Sequence, residues 1–93
     1  MMTSHTCVQR LVFSNLNIRS IFFEKERIIL GLTVNIESDD SGVKYVSCIF
    51  RTDKHEFIGL ELRNFQLAIK IMEQNAAPES CINLVKYYLE RWT

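Results

Sequence analysis

The sequence is poor in the residues that interrupt or cross-link a chain. It has three glycines, one proline and three cysteines among 93 residues. The glycines are isolated from one another, so the sequence has no Gly-rich loop of the kind that cradles phosphates. The cysteines (Cys7, Cys48 and Cys81) are odd in number and widely spaced. That pattern argues against a secreted disulfide framework and indicates reduced thiols in an intracellular protein.

Long hydrophobic runs and net charge are also missing. No more than four apolar residues stand in a row, whereas a membrane-spanning helix needs about 20. The first seven residues have neither the basic nor the apolar region of a signal peptide. Eleven basic residues balance eleven acidic ones, which argues against a surface coated in positive charge but allows a local basic strip. We therefore expect a soluble protein of the cytosol or the nucleus.

The length predicts a single small domain. We expect residues 1–7 to be frayed, residues 8–62 to form a sheet and residues 64–92 to be helical. A monomer of this size buries only about 60–65% of the surface that its unfolded chain exposes, so dimerisation would add useful burial. Compact size, short loops and the lack of linkers are also typical of small viral accessory proteins.

Alternating apolar and polar residues predict an antiparallel meander. Short strands are expected at about 9–14 and 17–23, followed by a charged, solvated link at 24–27. The clearest strand is RIILGLTVNIES, whose predicted core-facing residues are Leu30, Leu32, Val34 and Ile36. The turn signals SDDSG and TDKH separate it from strands at 43–51 and 56–62. In the last strand, Ile58, Leu60 and Leu62 are expected to point inward.

The helical part begins near Asn64, a good N-cap residue. Pro78 ends this first segment and suits the start of a second, so residues 64–92 form either one kinked helix or a helical hairpin. The predicted fold class is α+β: a curved antiparallel sheet followed by this helical part. The first segment is apolar on more than one side and therefore needs two packing partners. We predict a two-fold dimer with the following interface: Phe65, Ala68, Ile71, Met72, Tyr88 and Trp92.

The chemistry-bearing residues do not form a catalytic pattern. A zinc site would need His5, Cys7, Cys48 and His55, which lack the close ligand pairs usual for zinc. A Cys48–His55 nucleophile pair would have its two members on opposite sides of a strand. Asp39 and Asp40 stand in a Ser/Gly turn, where acids usually form the turn itself. We predict no enzymatic activity, no cofactor and no metal.

The polar side of the predicted sheet is a candidate binding surface. It would carry Thr33, Asn35, Tyr45, Ser47, Arg51, His55 and Phe57, with Lys44 and Lys54 at neighbouring turns. Aromatic rings beside cations are the ingredients of a platform for single strands, on which bases stack and phosphates meet Lys or Arg. The alternative is structural: Tyr45 and Phe57 form a cross-strand pair or pack beneath the N-terminal strands.

Residues 28–75 resemble the transcriptional coactivator family called positive cofactor four. Gly59-Leu60-Glu61-Leu62 is similar to the family's strand end, and Phe65-Gln66-Leu67-Ala68-Ile69 is similar to the helix that follows it. Val43 to Asp53 resembles the preceding strand and turn. The resemblance implies a dimer held by its helices and single-stranded DNA bound along the curved sheet. It would place Arg51 and Lys54 at phosphates and Phe65 in the helix packing.

Two functions of different classes follow. The first is a non-enzymatic homodimer that binds single-stranded DNA or RNA in transcription or replication, through Tyr45, Arg51, Lys54, Phe57 and Lys44. The second is a dimeric module of the same fold that binds protein partners instead. The aromatic and basic residues of the sheet favour the first function, and the neutral charge favours the second.

Overall fold

A computed structural model describes residues 6–92. Its strands are β1 (Thr6–Phe13), β2 (Ile18–Phe22), β3 (Lys25–Ser38), β4 (Lys44–Thr52) and β5 (Phe57–Gly59), followed by helices α1 (Leu62–Gln74) and α2 (Glu79–Trp92). The α+β prediction is confirmed. Residues 1–5 of the stretch expected to fray lie outside the described residues. Thr6 and Cys7 belong to β1, so for these two residues the expectation is wrong.

The sheet is built around β3. The strand order is β1-β3-β4-β5, and every pairing is antiparallel. β2 pairs with the first part of β3 (25–29), and β1 pairs with the second part (32–38). β3, β4 and β5 therefore form the predicted meander, and the N-terminal pair of strands completes the β3 edge.

The two helices and one face of the sheet share a single hydrophobic core. Its largest fully buried apolar side chains come from both layers: Phe22, Ile29, Leu32, Val34, Phe50, Phe65, Ile71, Met72 and Val85. Both helices contact β4. Because the helices contribute to the core on this face, the opposite face of β3 and β4 is the outer face of the molecule. That outer face carries the candidate site.

The helical part is two antiparallel helices rather than one kinked helix. The ring of Phe65, near the start of α1, lies 6.1 Å from the ring of Trp92 at the end of α2. Lys86 Nζ of α2 lies 3.8 Å from Glu73 Oε2, near the end of α1. These contacts bring opposite ends of the two helices together. The carbonyl of Pro78 accepts hydrogen bonds from the first turn of α2, as a proline before a helix allows.

β3 departs from the simple alternation that the sequence predicts. The register shifts between Ile29, which pairs with Thr52, and Gly31, which pairs with Arg51. Leu30 is the extra residue of this bulge and is only half-buried, while Ile29 is fully buried. The prediction that Leu30 faces the core is therefore wrong, because a bulge moves one residue out of phase with the strand.

The β2–β3 turn also differs from the prediction. β3 begins at Lys25, so the residues expected to form a charged link belong mostly to the strand, and the turn consists of Phe23 and Glu24. Both have positive φ, 52° and 65°. Two such residues fit a type I′ hairpin turn, which normally selects Asn-Gly. A left-handed conformation costs a residue other than glycine about 1–2 kcal/mol, so this turn is strained.

The junction between sheet and helix is the third correction. β5 ends at Gly59, and Leu60 takes a positive φ of 53° and is exposed. Leu62 already belongs to α1, so neither leucine points into the core from a strand. The N-cap residue is Glu61 rather than Asn64. Asn64 lies in the first turn with its amide fully buried and without a hydrogen-bond partner among residues 6–92.

Candidate functional site

The outer face of the sheet gathers one predicted cation and one predicted ring. Arg51 of β4 is directly opposite Phe57 of β5 on one side and Gly31 of β3 on the other. Arg51 and Phe57 are both exposed, Phe57 by 74%. Both side chains are on the outer face, because their neighbours Phe50 and Ile58 point into the core.

The side chain of Arg51 lies across Gly31. A Cβ atom at Gly31 would be 3.4 Å from Nε and 3.6 Å from Nη2 of Arg51, and 3.5 Å from the carbonyl oxygen of Phe13. The missing side chain of Gly31 therefore makes room for the guanidinium against the backbone of β3. This arrangement keeps the charged end of Arg51 on the sheet surface.

A shallow depression of about 100 Å³ surrounds this arginine. Its lining is partly apolar, partly hydroxyl and partly cationic: Val12, Phe13, Ser14, Gly31, Leu32, Thr33, Ile49, Arg51 and Phe57. Val12 is 63% exposed. A guanidinium beside an exposed ring and aliphatic side chains can bind one anionic group while a planar apolar group rests on the ring.

Tyr45 and Lys44 lie at the other end of β4. Tyr45 is opposite Glu37 rather than Phe57, so the predicted Tyr45–Phe57 cross-strand pair is wrong. The Tyr45 hydroxyl donates a hydrogen bond to Asp39 at 3.2 Å. This bond and the nearby carboxylate raise the pKa of Tyr45. The ring is exposed, but a turn acid already engages its polar end.

The β3–β4 turn explains the acid pair at 39–40. The Asp39 carboxylate accepts hydrogen bonds from the Ser41 hydroxyl and from the backbone amides of Ser41 and Val43. The Ser41 hydroxyl bond is the largest of the influences that lower the pKa of Asp39. Asp39 is therefore a turn-forming acid, as the sequence predicts.

Lys54 and His55 belong to the β4–β5 turn and lie outside the depression around Arg51. The Thr52 hydroxyl accepts hydrogen bonds from the amides of Lys54 and Glu56. Lys54 is exposed and lines a second depression whose other residues are Arg19, Glu26, Arg27, Ile28 and Asp53. The predicted binding residues thus occupy three places on the sheet: Lys44 with Tyr45, Arg51 with Phe57, and Lys54 alone.

The predicted dimer interface needs a correction. Phe65, Ala68, Ile71 and Met72 are all buried inside the single chain, between the sheet and α2. Residues without exposed surface cannot form the contact between two folded copies. Tyr88 is half-buried and Trp92 is 55% exposed, so only these two keep surface for a partner.

Two residues of the outer face were missed in the sequence analysis. Val12 and Arg10 come from β1, which pairs with β3 so that Val12 is opposite Thr33 and Arg10 is opposite Asn35. Arg10 Nε donates a hydrogen bond to Asn35 Oδ1 at 2.8 Å. The alternation of VQRLVF could have identified Arg10 and Val12, but no sequence signal indicated the partner strand.

The cysteines occupy different environments. Cys7 is exposed on β1, whereas Cys48 and Cys81 are buried. Burial raises the pKa of Cys48 to about 12, so this thiol is protonated at neutral pH. The Cys81 thiol donates a hydrogen bond to Gln9 Oε1 at 3.2 Å and thereby links α2 to β1.

Comparisons of the chain with models of protein families, with curated proteins and with solved structures found no match. Within residues 6–92, neither helix has the length and apolar character required to cross a membrane. The protein is therefore classed by its architecture. It is a five-stranded antiparallel sheet with two helices on one face and a partly apolar, partly cationic outer face.

Proposed function

We propose that the protein binds single-stranded nucleic acid on the outer face of its sheet, without catalysis. The observation that carries this proposal is the position of Arg51 beside Phe57, over Gly31, on the sheet face opposite α1 and α2. A phosphate would bind the guanidinium and a base would stack on the ring. Transcription and replication both produce such exposed strands.

The proposed contact has few cations. Arg51 lies in the depression, Arg10 lies on the same face, and Lys44 and Lys54 lie at the ends of β4 and its turn. Neutralising only a few phosphates gives modest affinity and a shallow dependence on salt. Paired bases cannot stack on Phe57, so duplex DNA should bind more weakly than single strands.

The experiment is a titration of labelled single-stranded and duplex oligonucleotides at two salt concentrations. Phe57→Ala should weaken single-strand binding by about 1–3 kcal/mol. Arg51→Ala should weaken it equally for unrelated sequences, because phosphate contacts carry no sequence information. Arg63→Ala is the matched control, since it removes an exposed cation from α1 rather than from the sheet. Unchanged affinity of the Arg51 and Phe57 variants would refute the proposal.

We also propose that the protein acts as a homodimer whose two copies contact each other near the end of α2. Trp92 and Tyr88 keep surface there, and Leu62 adds a partly exposed side chain three residues before Phe65, whose ring contacts Trp92. Sedimentation at micromolar concentration tests this, and a mass of 10.9 kDa would refute it. Trp92→Glu should separate the copies without unfolding them, because the side chain is largely exposed. Ile71→Glu should unfold the chain, because that side chain is buried.

A protein-interaction module is the second candidate. The observation in its favour is that Val12, Ile49 and Phe57 give the outer face apolar surface while the chain has no net charge. Exposed apolar patches of this kind also serve protein partners. A folded protein that binds neither single strands nor duplex at low salt would favour this candidate over nucleic-acid binding.

A further inference from the structure

The β2–β3 hairpin presents apolar side chains to solvent at its tip. Phe23 is 61% exposed and Ile21 is 59% exposed. The preceding residue, Phe22, is fully buried, and its ring lies 5.8 Å from that of Phe50 in the core. An ion pair of 3.0 Å between Arg19 and Glu26 joins the two strands. The hairpin is therefore anchored in the core, and its tip is not part of that core.

The residue at the tip is an unfavourable one for its turn. Phe23 has a φ of 52° in a two-residue turn that normally selects Asn or Gly. An exposed Phe here gains nothing from core packing and strains the backbone. Strained positions of this kind cluster at functional sites, where the side chain itself is required. Strain and exposure together make the Phe23 ring a candidate binding group.

β3 runs from this hairpin tip to Gly31, which lies opposite Arg51. Ile28 lies on the outer face, because its neighbour Ile29 points into the core. Ile28 lines the second depression together with Arg19 and Lys54. Glu26, which pairs with Ile21, is five residues from Gly31, or about 16 Å at the usual strand rise. A bound strand several nucleotides long could reach from one region to the other.

Three acids along β3 and the β4–β5 turn already have partners within the protein, while Glu24 lies exposed beside Phe23 in the turn. Glu26 forms an ion pair with Arg19, and Glu56 forms one with Arg27. The Asp53 carboxylate accepts a hydrogen bond of 3.1 Å from the backbone amide of Ile28. Lys54 is exposed and lines the second depression with Arg19 and Ile28. The path therefore offers a ring at Phe57, cations at Arg51 and Lys54, and a second ring at Phe23. Two rings with two cations suit a single strand better than they suit an uncharged partner.

We infer that Phe23 is a second base-stacking contact, so that a bound single strand runs along the outer face from Phe57 to the hairpin tip. This inference rests on the proposed function, because it extends the same bound strand. None of the binding residues predicted from the sequence belongs to this hairpin. The inference therefore gives the hairpin a new role.

The test uses a labelled oligothymidylate of about twenty nucleotides, a length above the usual footprint of one small binding fold. Phe23→Asn should leave the Tm unchanged or raise it, because Asn tolerates positive φ. The same variant should weaken oligonucleotide binding about 5- to 150-fold, which is the usual loss for one stacked ring. If Phe23 had only a structural role, the substitution would not lower the affinity for the oligonucleotide while keeping or raising the Tm.

Phe23→Trp is the ring-preserving control, and Trp92 is kept because it belongs to the proposed dimer contact. The variant should bind as the wild type does, and its emission should fall more than that of the wild type when the oligonucleotide is added. Wild-type affinity in the Phe23→Asn protein, or a lower Tm, would overturn the inference. If Phe57→Ala still weakens binding, the proposed function stands without it. If the wild-type protein binds no oligonucleotide, both fail.

Discussion

The exchange Gly31→Ala tests whether the position of Arg51 matters for binding. The new Cβ would lie 3.4 Å from Arg51 Nε and 3.5 Å from the Phe13 carbonyl oxygen. The nearer atom belongs to a flexible side chain, which can move by a few tenths of an ångström. Folding should therefore lose little, and a Gly→Ala exchange without backbone strain contributes about 0.4–1 kcal/mol through the unfolded state. We expect a free energy of unfolding equal to or slightly above that of the wild type.

Binding should respond differently from stability. A hydrogen bond to a charged group contributes about 1.5–3 kcal/mol. A displaced guanidinium keeps part of its attraction to phosphate, so we expect Gly31→Ala to cost about 1 kcal/mol, or about fivefold in Kd. Anisotropy titration at low salt measures this loss, and urea unfolding measures stability.

A double-mutant cycle isolates the cause. In an Arg51→Ala background, Gly31→Ala should have no further effect on binding, because the group that it displaces is already gone. Wild-type affinity in the single Gly31 variant would refute the reasoning. An equal loss with and without Arg51 would refute it as well, since the alanine would then act on the strand directly.

Three further predictions concern stability and reactivity. Gly59→Ala should destabilise the fold by about 1–3 kcal/mol in urea unfolding, because its Cβ would lie 2.9 Å from the backbone oxygen of Cys48; unchanged stability would contradict the close approach. A thiol reagent should label exposed Cys7 in the native protein and reach Cys48 only on unfolding, and rapid labelling of both would place Cys48 outside the core. The Ser41 hydroxyl helps hold the pKa of Asp39 below 3.8, so the stability that this turn contributes is complete above pH 3.8 and is lost as the pH falls through the lower native pKa. Asp39→Asn should remove that part of the acid dependence, and an unaltered acid profile would contradict it.

The parts of the fold that short-range patterns specify were predictable. In β3 and β4, Val34, Ile36, Val46 and Cys48 follow the alternation of the sequence and are buried. The turn at 38–42 and the break at Pro78 also stand where turn and helix-start residues predict them. These features depend on residues close together in the chain.

The features that depend on distant residues were not predictable. The bulge at Leu30 arises where β3 meets Thr52, and the helix start at Leu62 overrides the alternation of the preceding strand. Phe23 takes a positive φ, which residues other than glycine disfavour. Turn-forming residue types therefore did not predict a turn at Phe23 and Glu24. In each case tertiary pairing outweighed a local pattern.

The candidate site was predicted in part for the same reason. Arg51 and Phe57 belong to neighbouring strands of a meander, so alternation alone placed them on one face. Gly31 lies opposite Arg51 through the pairing of β3 with β4, and Val12 completes the depression only through the pairing of β1 with β3. No local pattern specifies that long-range pairing.

The two packing partners of α1 change the argument for a dimer. The helix is apolar on more than one side, but the sheet and α2 of the same chain cover those sides. A second copy is therefore no longer required by α1. The outer sheet face and the exposed end of α2 near Trp92 are two surfaces left for such a contact. If the dimer forms at α2, as proposed, an oligonucleotide on the sheet should leave it intact in sedimentation. Dissociation of the dimer by the oligonucleotide would contradict this arrangement, because it would mean that the partner copy and the strand compete for the same face.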